Sequence, residues 1–259
     1  MEWRDQGLVL SARKYGETAV IASLLSPERG RHLGLIRGGQ SRRRQGALQP
    51  GNLVDAVWRA RLEAHLGTYT LEPVHDFAAR VLEDPLRLKG LAAAMALLDA
   101  SLAEREAHAA VFHDTLAFLR ALEAVEMPPS GRGAVSDTVA VTRAPDWAVA
   151  YVRWELSLLD CLGFGLDLSC CAATGAVDDL IYVSPRSGRA VSAGAGAPYK
   201  EKLLALPAFL RADSPGRVQE SDIAAGLRLT GYFLAHHHFG GEGRAMPASR
   251  ARFVDAFSD

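Results

Sequence analysis

Cysteine is scarce in this chain, with three residues in 259, at positions 161, 170 and 171. They are odd in number and crowded together, so they form no disulfide framework, and a reducing compartment fits. Long apolar runs are also missing. The longest, Gly90 to Leu98, lies between Lys89 and Asp99 and is far too short to span a bilayer. The start, Met1-Glu2-Trp3-Arg4-Asp5, carries charges where a secretory signal has a basic start and then an apolar stretch. A cytoplasmic protein is expected. Neither sign of charge dominates. The counts are 29 Lys+Arg and 30 Asp+Glu, a formal net of −1, which argues against coating nucleic acid by bulk charge. Catalytic signatures are missing as well: no G-x-S-x-G elbow, no C-x-x-C pair and no G-x-x-x-x-G-K-[ST] phosphate loop. No enzyme and no cofactor are expected.

What is present is ordinary globular composition, 49% hydrophobic and 23% charged, enough for one or two domains with real cores. Residues 1–80 read as strands. Gly7 to Tyr15, Thr18 to Leu25, Arg31 to Arg37, Asn52 to Leu62 and Gly67 to Val74 are short apolar or alternating runs, separated by turn residues such as Pro27-Glu28-Arg29-Gly30. Five such strands suggest a small antiparallel barrel. From about residue 81 the period becomes helical. Leu91, Met95, Leu98 and Leu102 recur at helical spacing, as do Phe112, Leu116 and Leu119, then Val149, Val152, Leu156 and Leu159, and finally Ile223, Leu227, Thr230 and Leu234. Residues 127–145 read as a loop or exposed excursion, and 184–198 as an irregular, Gly-rich stretch.

Charge follows the same boundary. Residues 1–80 hold 12 Lys+Arg and 8 Asp+Glu, so the remainder is net acidic. Within 29–61, Arg29, Arg31, Arg37, Arg42, Arg43, Arg44, Arg59 and Arg61 face only Asp55. Guanidinium groups stay charged and fork two donors onto phosphate oxygens. Arg29 and Arg31, like Arg59 and Arg61, are spaced to share a strand face. Gly38 to Gly46 reads as a mobile basic loop. A small barrel with such a face and loop suits a nucleic-acid backbone. Aromatic partners for bases are few, with Tyr15, Trp58 and Tyr69 as the candidates. A solvated, arginine-rich strand surface is the bland alternative.

Other constellations are weaker. Cys170-Cys171-Ala172-Ala173-Thr174-Gly175 resembles half a zinc knuckle without its second ligand, and no cysteine follows. His236, His237 and His238 fan around a helix and cannot ligate together. The cysteines read as structural thiols, Trp154 as core packing, and His75-Asp76 and His113-Asp114 as surface polar residues.

The ordered segments Asp5 to Leu10, Tyr15 to Thr18, Ser26 to Arg31, Arg37 to Gly39, Gly46 to Gly51, Trp154 to Leu159, Leu162 to Leu166, Val183 to Arg189, and Ser249-Arg250 give the chain a resemblance to the bacterial RecO family of DNA repair proteins. The resemblance implies an α+β protein: a five-stranded antiparallel OB-fold over 1–80, then a mainly α-helical domain over 81–259. It implies binding of single- and double-stranded DNA, annealing of complementary strands, and work with RecR, in some bacteria with RecF, to help RecA replace SSB, whose acidic C-terminal tail it contacts. The expected location is cytoplasmic and nucleoid-associated, away from membranes. Arg13, Lys14, Arg29, Arg31, Arg37, Arg42, Arg43, Arg44, Arg59 and Arg61 are the expected DNA contacts. Lys200, Lys202, Arg211 and Arg228 are available for the acidic tail. Many members carry a four-cysteine zinc knuckle. Here Cys171 matches the first ligand, Thr174 stands at the second, and Ser192 and Ala195 at the later pair, so over about 167–198 a degenerate knuckle without metal is expected. The competing expectation is an RNA-binding OB module with a helical interaction domain.

Overall fold

The computed structural model describes residues 1–62, 64–124, 145–211, 217–241 and 243–257. At Arg42 and Arg43 it describes the backbone alone. The excursion expected over 127–145 thus lies almost wholly outside the described residues. The chain divides into two compact units, Met1–Glu123 with Met246–Phe253, and Ala124–Ala245 with Val254–Asp259.

The first unit is built on five strands: β1 (Glu2–Tyr15), β2 (Ala19–Ser26), β3 (Gly30–Ile36), β4 (Leu53–Arg59) and β5 (Gly67–His75). A short helix α1 (Arg42–Ala47) lies between β3 and β4. The pairings run β1-β2-β3-β5-β4 and close into a barrel when β4 meets β1. One long strand serves two neighbours. β1 pairs with β4 from Glu2 to Leu8 and with β2 from Leu8 to Tyr15, and its register shifts between Val9 and Ser11. Such a bulge bends a strand and adds local twist. The expectation of an all-antiparallel sheet needs correction: β3 and β5 pair in parallel through Gly34↔Gly67 and Leu35↔Thr68. Five strands in a closed ring cannot all alternate in direction, so one neighbouring pair must run the same way, and here it is β3 with β5.

That seam is short, and aromatic rings press on both of its glycines. A Cβ on Gly34 would sit 2.3 Å from the Tyr69 ring, and one on Gly67 2.3 Å from the Trp58 ring. Trp58 and Tyr69 lie in the barrel core with Val9, Val20, Ala22, Leu24, Ile36, Leu48, Val54 and Ala56. Trp3 stacks on Trp58 at 5.8 Å between centroids, and His32 meets the same indole edge-on at 4.8 Å.

Helices then cover part of the barrel. α2 (Phe77–Arg80), α3 (Pro85–Ser101) and α4 (Ala109–Glu123) follow β5. Asp84 caps α3 by accepting from the Leu86 and Arg87 amides, with Pro85 in the first turn. α3 buries Leu91, Ala94, Met95, Leu97 and Leu98 around its girth. A helix apolar all round must be covered on several sides, and α3 packs against both β1 and α4. Ser23 of β2 donates to Asp99 at 2.6 Å, and the Arg31 guanidinium lies 3.6 Å from the same carboxylate.

After α3 the backbone returns along β3. The Arg105 amide donates to the Arg31 carbonyl at 2.7 Å, and Arg31 bridges Glu104. Gly30 adopts φ +64°, and a Cβ there would lie 1.7 Å from the Glu106 carbonyl oxygen. Glycine is required here twice over, by conformation and by contact. Most of α8 (Ala248–Val254) also belongs to this unit, with Phe253 fully buried.

The second unit pairs α5 (Asp146–Cys161) with α7 (Glu220–Phe233). Thr230 of α7 donates a short hydrogen bond to the buried Glu155 carboxylate of α5. Gln219 and Asp222 form a reciprocal capping box at the start of α7, and a π-helical turn, Leu234–Phe239, follows it. A small sheet, in the order β7-β6-β8, joins β6 (Leu180–Val183), β7 (Ala190–Ser192) and β8 (Leu204–Ala205). The stretch 184–198, expected to be irregular, therefore contributes β7 and a short helix α6 (Ala193–Gly196). Its strand is only three residues long, too short to show a two-residue period in sequence.

Replacing Gly30 by Ala forces a left-handed residue into the Glu106 backbone. Unfolding in urea is expected to show a loss of at least about 2 kcal/mol. A change below half a kilocalorie would mean that the 102–106 segment does not press on β3.

Candidate nucleic-acid interface

The basic stretch after β3 is better ordered than its glycines suggest. The expected mobile loop, Gly38 to Gly46, contains most of α1. Three arginines and a glutamine favour helix, and the Ser41 carbonyl accepts from the Arg44 and Gln45 amides. Gln40 anchors the approach. Its side chain donates to the carbonyls of Gly16 at 3.1 Å and Ala19 at 3.2 Å, and its amide donates to that of Thr18 at 3.2 Å. The loop is thereby tied to the β1–β2 turn. Arg44 reaches back and donates to the Arg37 carbonyl.

Between α1 and the β3–β5 seam lies a cavity of about 390 Å³. Arg37 and Arg44 supply its charge, Thr68 and Thr70 its hydroxyls, and Ile36, Leu48 and Leu71 an apolar floor. Among the described residues, no acidic side chain lines it. Sequence reasoning missed Thr68 and Thr70. The signal was there, since Thr-Tyr-Thr at 68–70 alternates and turns both hydroxyls to one side.

The other expected cations are placed differently. Arg13, Lys14, Arg29 and Arg61 are exposed. Arg59 is exposed but forks onto Glu2, at 2.8 and 2.9 Å, and holds that carboxyl below the usual carboxylate range. An ion pair in open solvent contributes little, so a phosphate can compete for Arg59. Arg31 is only 19% exposed. Its Nε donates to the Leu102 carbonyl at 2.8 Å and its charge faces Asp99. It fastens α3 to the barrel and is not brought to the cavity. The side chains of Arg42 and Arg43 lie outside the described residues.

The barrel also has an acidic side. A groove of about 420 Å³ is lined by Asp5, Asp55 and Glu72 with Arg4, Gln6 and Thr70. Asp55 and Glu72 stand directly opposite each other on β4 and β5. Thr70 lines both grooves, so basic and acidic surfaces meet along β5.

The stacking candidates separate cleanly. Trp58 is 1% exposed and Tyr69 5%, so both are core. Burial raises the Tyr69 phenol well above its ordinary range and lowers the His32 imidazole beside it. Tyr15 is 56% exposed.

In the second unit, Arg153 and Arg211 flank a cavity of about 390 Å³ with Leu156, Leu168, Phe209 and Leu210. Arg153 donates to the Phe209 carbonyl at 3.0 Å and Arg211 to that of Leu180 at 3.2 Å. Lys200, Lys202 and Arg228 are exposed or half-buried and do not line it.

Cys171 is buried in the loop before β6. Its sulfur accepts from the Ser192 amide at 3.3 Å and hydroxyl at 3.5 Å. The Gly175 amide closes the turn onto the Cys171 carbonyl at 2.8 Å. These bonds, led by the Ser192 hydroxyl and then Thr174, lower the thiol to about 6, against a weaker upward push from burial. The donor set does not suit zinc. Structural sites want four thiolate or imidazole ligands, and Thr174, Ser192 and Ala195 supply none. Among the described residues, no group of three or more His, Cys, Asp or Glu converges as a metal site. No helix among the described residues is long and apolar enough to cross a membrane.

Comparison with known proteins gives a consistent answer. The family described as "Recombination protein O N terminal" matches residues 1–77, and "Recombination protein O C terminal" matches 140–243. A protein of Rhodospirillum rubrum named DNA repair protein RecO is 51% identical over 255 residues, covering 98% of this chain and 96% of its own. Its namesake in Rhodospirillum centenum is 50% identical, over 99% of this chain and 95% of its own. The one in Caulobacter vibrioides is 46% identical, over 100% and 98%.

The thiol has a pH consequence. Folding favours the Cys171 thiolate, so the native state releases its proton near pH 6 while the unfolded thiol keeps its own to about 9. The contribution is complete above the higher value and is lost as pH falls through the lower one, so stability should rise between them. Ser192→Ala should shift the thiolate absorbance titration upward. Titration superimposable on that of the parent chain would remove Ser192 as the cause.

Proposed function

This chain belongs to the RecO family of DNA repair proteins, and from that premise we propose that its barrel is an OB-fold that holds DNA by the phosphates. The cavity between α1 and β5 carries the reading: Arg37, Arg44, Thr68 and Thr70 converge there and no described carboxylate opposes them. Guanidinium groups and hydroxyls hold a backbone without reading its sequence. Arg13, Lys14, Arg29, Arg42, Arg43, Arg59 and Arg61 extend the same basic surface in this reading. Arg31 acts indirectly, by holding α3. The acidic groove beyond Thr70 repels phosphates and ends the track.

Annealing follows from this arrangement. Two complementary strands repel each other through their backbones. A surface that neutralises phosphates while leaving base edges free lets them meet and pair. In this account the protein is a non-enzymatic mediator. It acts on single- and double-stranded DNA and, with RecR and where present RecF, helps RecA onto strands coated with SSB. The acidic, apolar SSB tail would suit the Arg153–Arg211 cavity, which offers two cations over leucine and phenylalanine surface. Residues 167–198 are read as a former zinc knuckle whose metal is replaced by hydrogen bonds to the Cys171 sulfur.

Two measurements test this. Arg37 and Arg44 changed together to Ala should weaken DNA binding, and flatten the salt dependence on single strands by about 0.7 for each phosphate no longer neutralised. The doubly changed chain should also lose annealing of SSB-coated strands. An unchanged slope would remove the cavity from the interface, and activity on RNA alone would favour an RNA-binding module instead. Metal analysis of the purified chain should find no stoichiometric zinc. One zinc per chain would overturn the hydrogen-bonded reading of the loop.

A further inference from the structure

We propose that Tyr15 is the platform on which the barrel stacks an unpaired base. The inference rests on the DNA-binding reading above and adds a contact to the base itself. A phosphate surface alone treats paired and unpaired strands alike. Preference for a single strand needs a ring that an unstacked base can cover. Of the rings in the barrel, Trp58 and Tyr69 are buried and Trp3 is half-buried against Trp58. Among the described residues, Tyr15 is the Phe, Tyr or Trp side chain of the barrel that stands open, at 56% exposure.

Its position fits the phosphate cavity. Tyr15 ends β1 and faces Ala19 across the hairpin. Val20 faces Ile36 in the last pair of the β2–β3 ladder, and Arg37 follows Ile36 directly as the chain leaves β3. Directly opposite residues share a sheet face. Tyr15 and Ala19 therefore share a sheet face, at the end of the sheet where Arg37 leaves β3, with the Tyr15 and Arg37 backbones two strand spacings apart, about 10 Å. That is close enough for one short stretch of nucleotides to lay its phosphates on Arg37 and Arg44 and a base on the ring.

The backbone that carries the ring is also held in place. Gln40 fixes the turn that follows it through the Gly16, Thr18 and Ala19 carbonyls, and the same loop carries Arg44. Arg13 and Lys14 beside the ring are exposed and can bind the flanking phosphates. Tyr15 thus sits on an ordered hairpin end, already in the phosphate path, and gives up little freedom when a base covers it.

The test uses the full chain, a single-stranded oligonucleotide, its duplex, and a single strand of the same length lacking bases. Tyr15→Ala should bind the single strand about tenfold more weakly, as loss of one stacked base predicts. Duplex affinity and the salt slope should hold, because no charge is lost. Tyr15→Trp should retain binding, and its fluorescence should be quenched by the normal strand but not by the baseless one. The parent chain and Tyr15→Ala should bind the baseless strand equally. Unchanged single-strand affinity in Tyr15→Ala, or an equal loss on the baseless strand, would overturn the assignment while leaving the phosphate cavity intact. A parent chain that binds no single strand would overturn the DNA reading and this inference with it.

Discussion

The barrel closes because two aromatic rings, Trp58 and Tyr69, pack against two positions where no side chain fits, Gly67 and Gly34. The remaining ladders are long and antiparallel, but the ring is completed by just two parallel partners on β3 and β5. Burial of a ring of this size is worth on the order of 3–5 kcal/mol when judged by truncation, more than the seam's hydrogen bonds supply. The same closure shapes the cavity beside it. It draws Thr68 and Thr70 of β5 toward Arg37 and α1 on the β3 side. The cavity proposed to hold phosphates is therefore formed by core packing behind it, and its hydroxyls point outward because Tyr69 between them points in.

Electrostatics is zoned on the same scaffold. A near-neutral total hides a basic first part, and even the barrel is divided, with guanidinium groups toward α1 and carboxylates on the far side of Thr70. In the function proposed above, this zoning keeps a polyanion to one side of the barrel. Arginine itself is used in two ways. Arg37 and Arg44 are offered to solvent, whereas Arg31 is consumed in holding a helix to the sheet.

Much of this was legible in the residues. The five strands follow from apolar or alternating runs between turn residues, although β1 starts at Glu2 and not at the expected Gly7, and the helical spacing at Leu91-Met95-Leu98 and Ile223-Leu227-Thr230 follows from period. The parallel seam could not be read, since two residues carry no pattern and strand direction depends on the whole chain path. Nor could the fate of Arg31, whose spacing from Arg29 suggested a shared face; Asp99 and the Leu102 carbonyl, far along the chain, decide it. The arginine count located the basic region but could not say which guanidinium groups converge. Burial separated Tyr15 from Trp58 and Tyr69, which are alike in sequence as possible stacking residues.

The segment that returns along β3 after α3 also bears on how small a working piece of this protein can be. Through Glu104 and Arg105 it occupies backbone groups that β3 would otherwise present to water beyond its brief contact with β5. An uncovered strand edge of that kind is a template for pairing with another chain. A fragment ending with β5 would keep every strand of the barrel yet carry an open edge, and such a fragment would self-associate through β3. The stretch between α3 and α4 thus covers a strand edge as well as joining two helices.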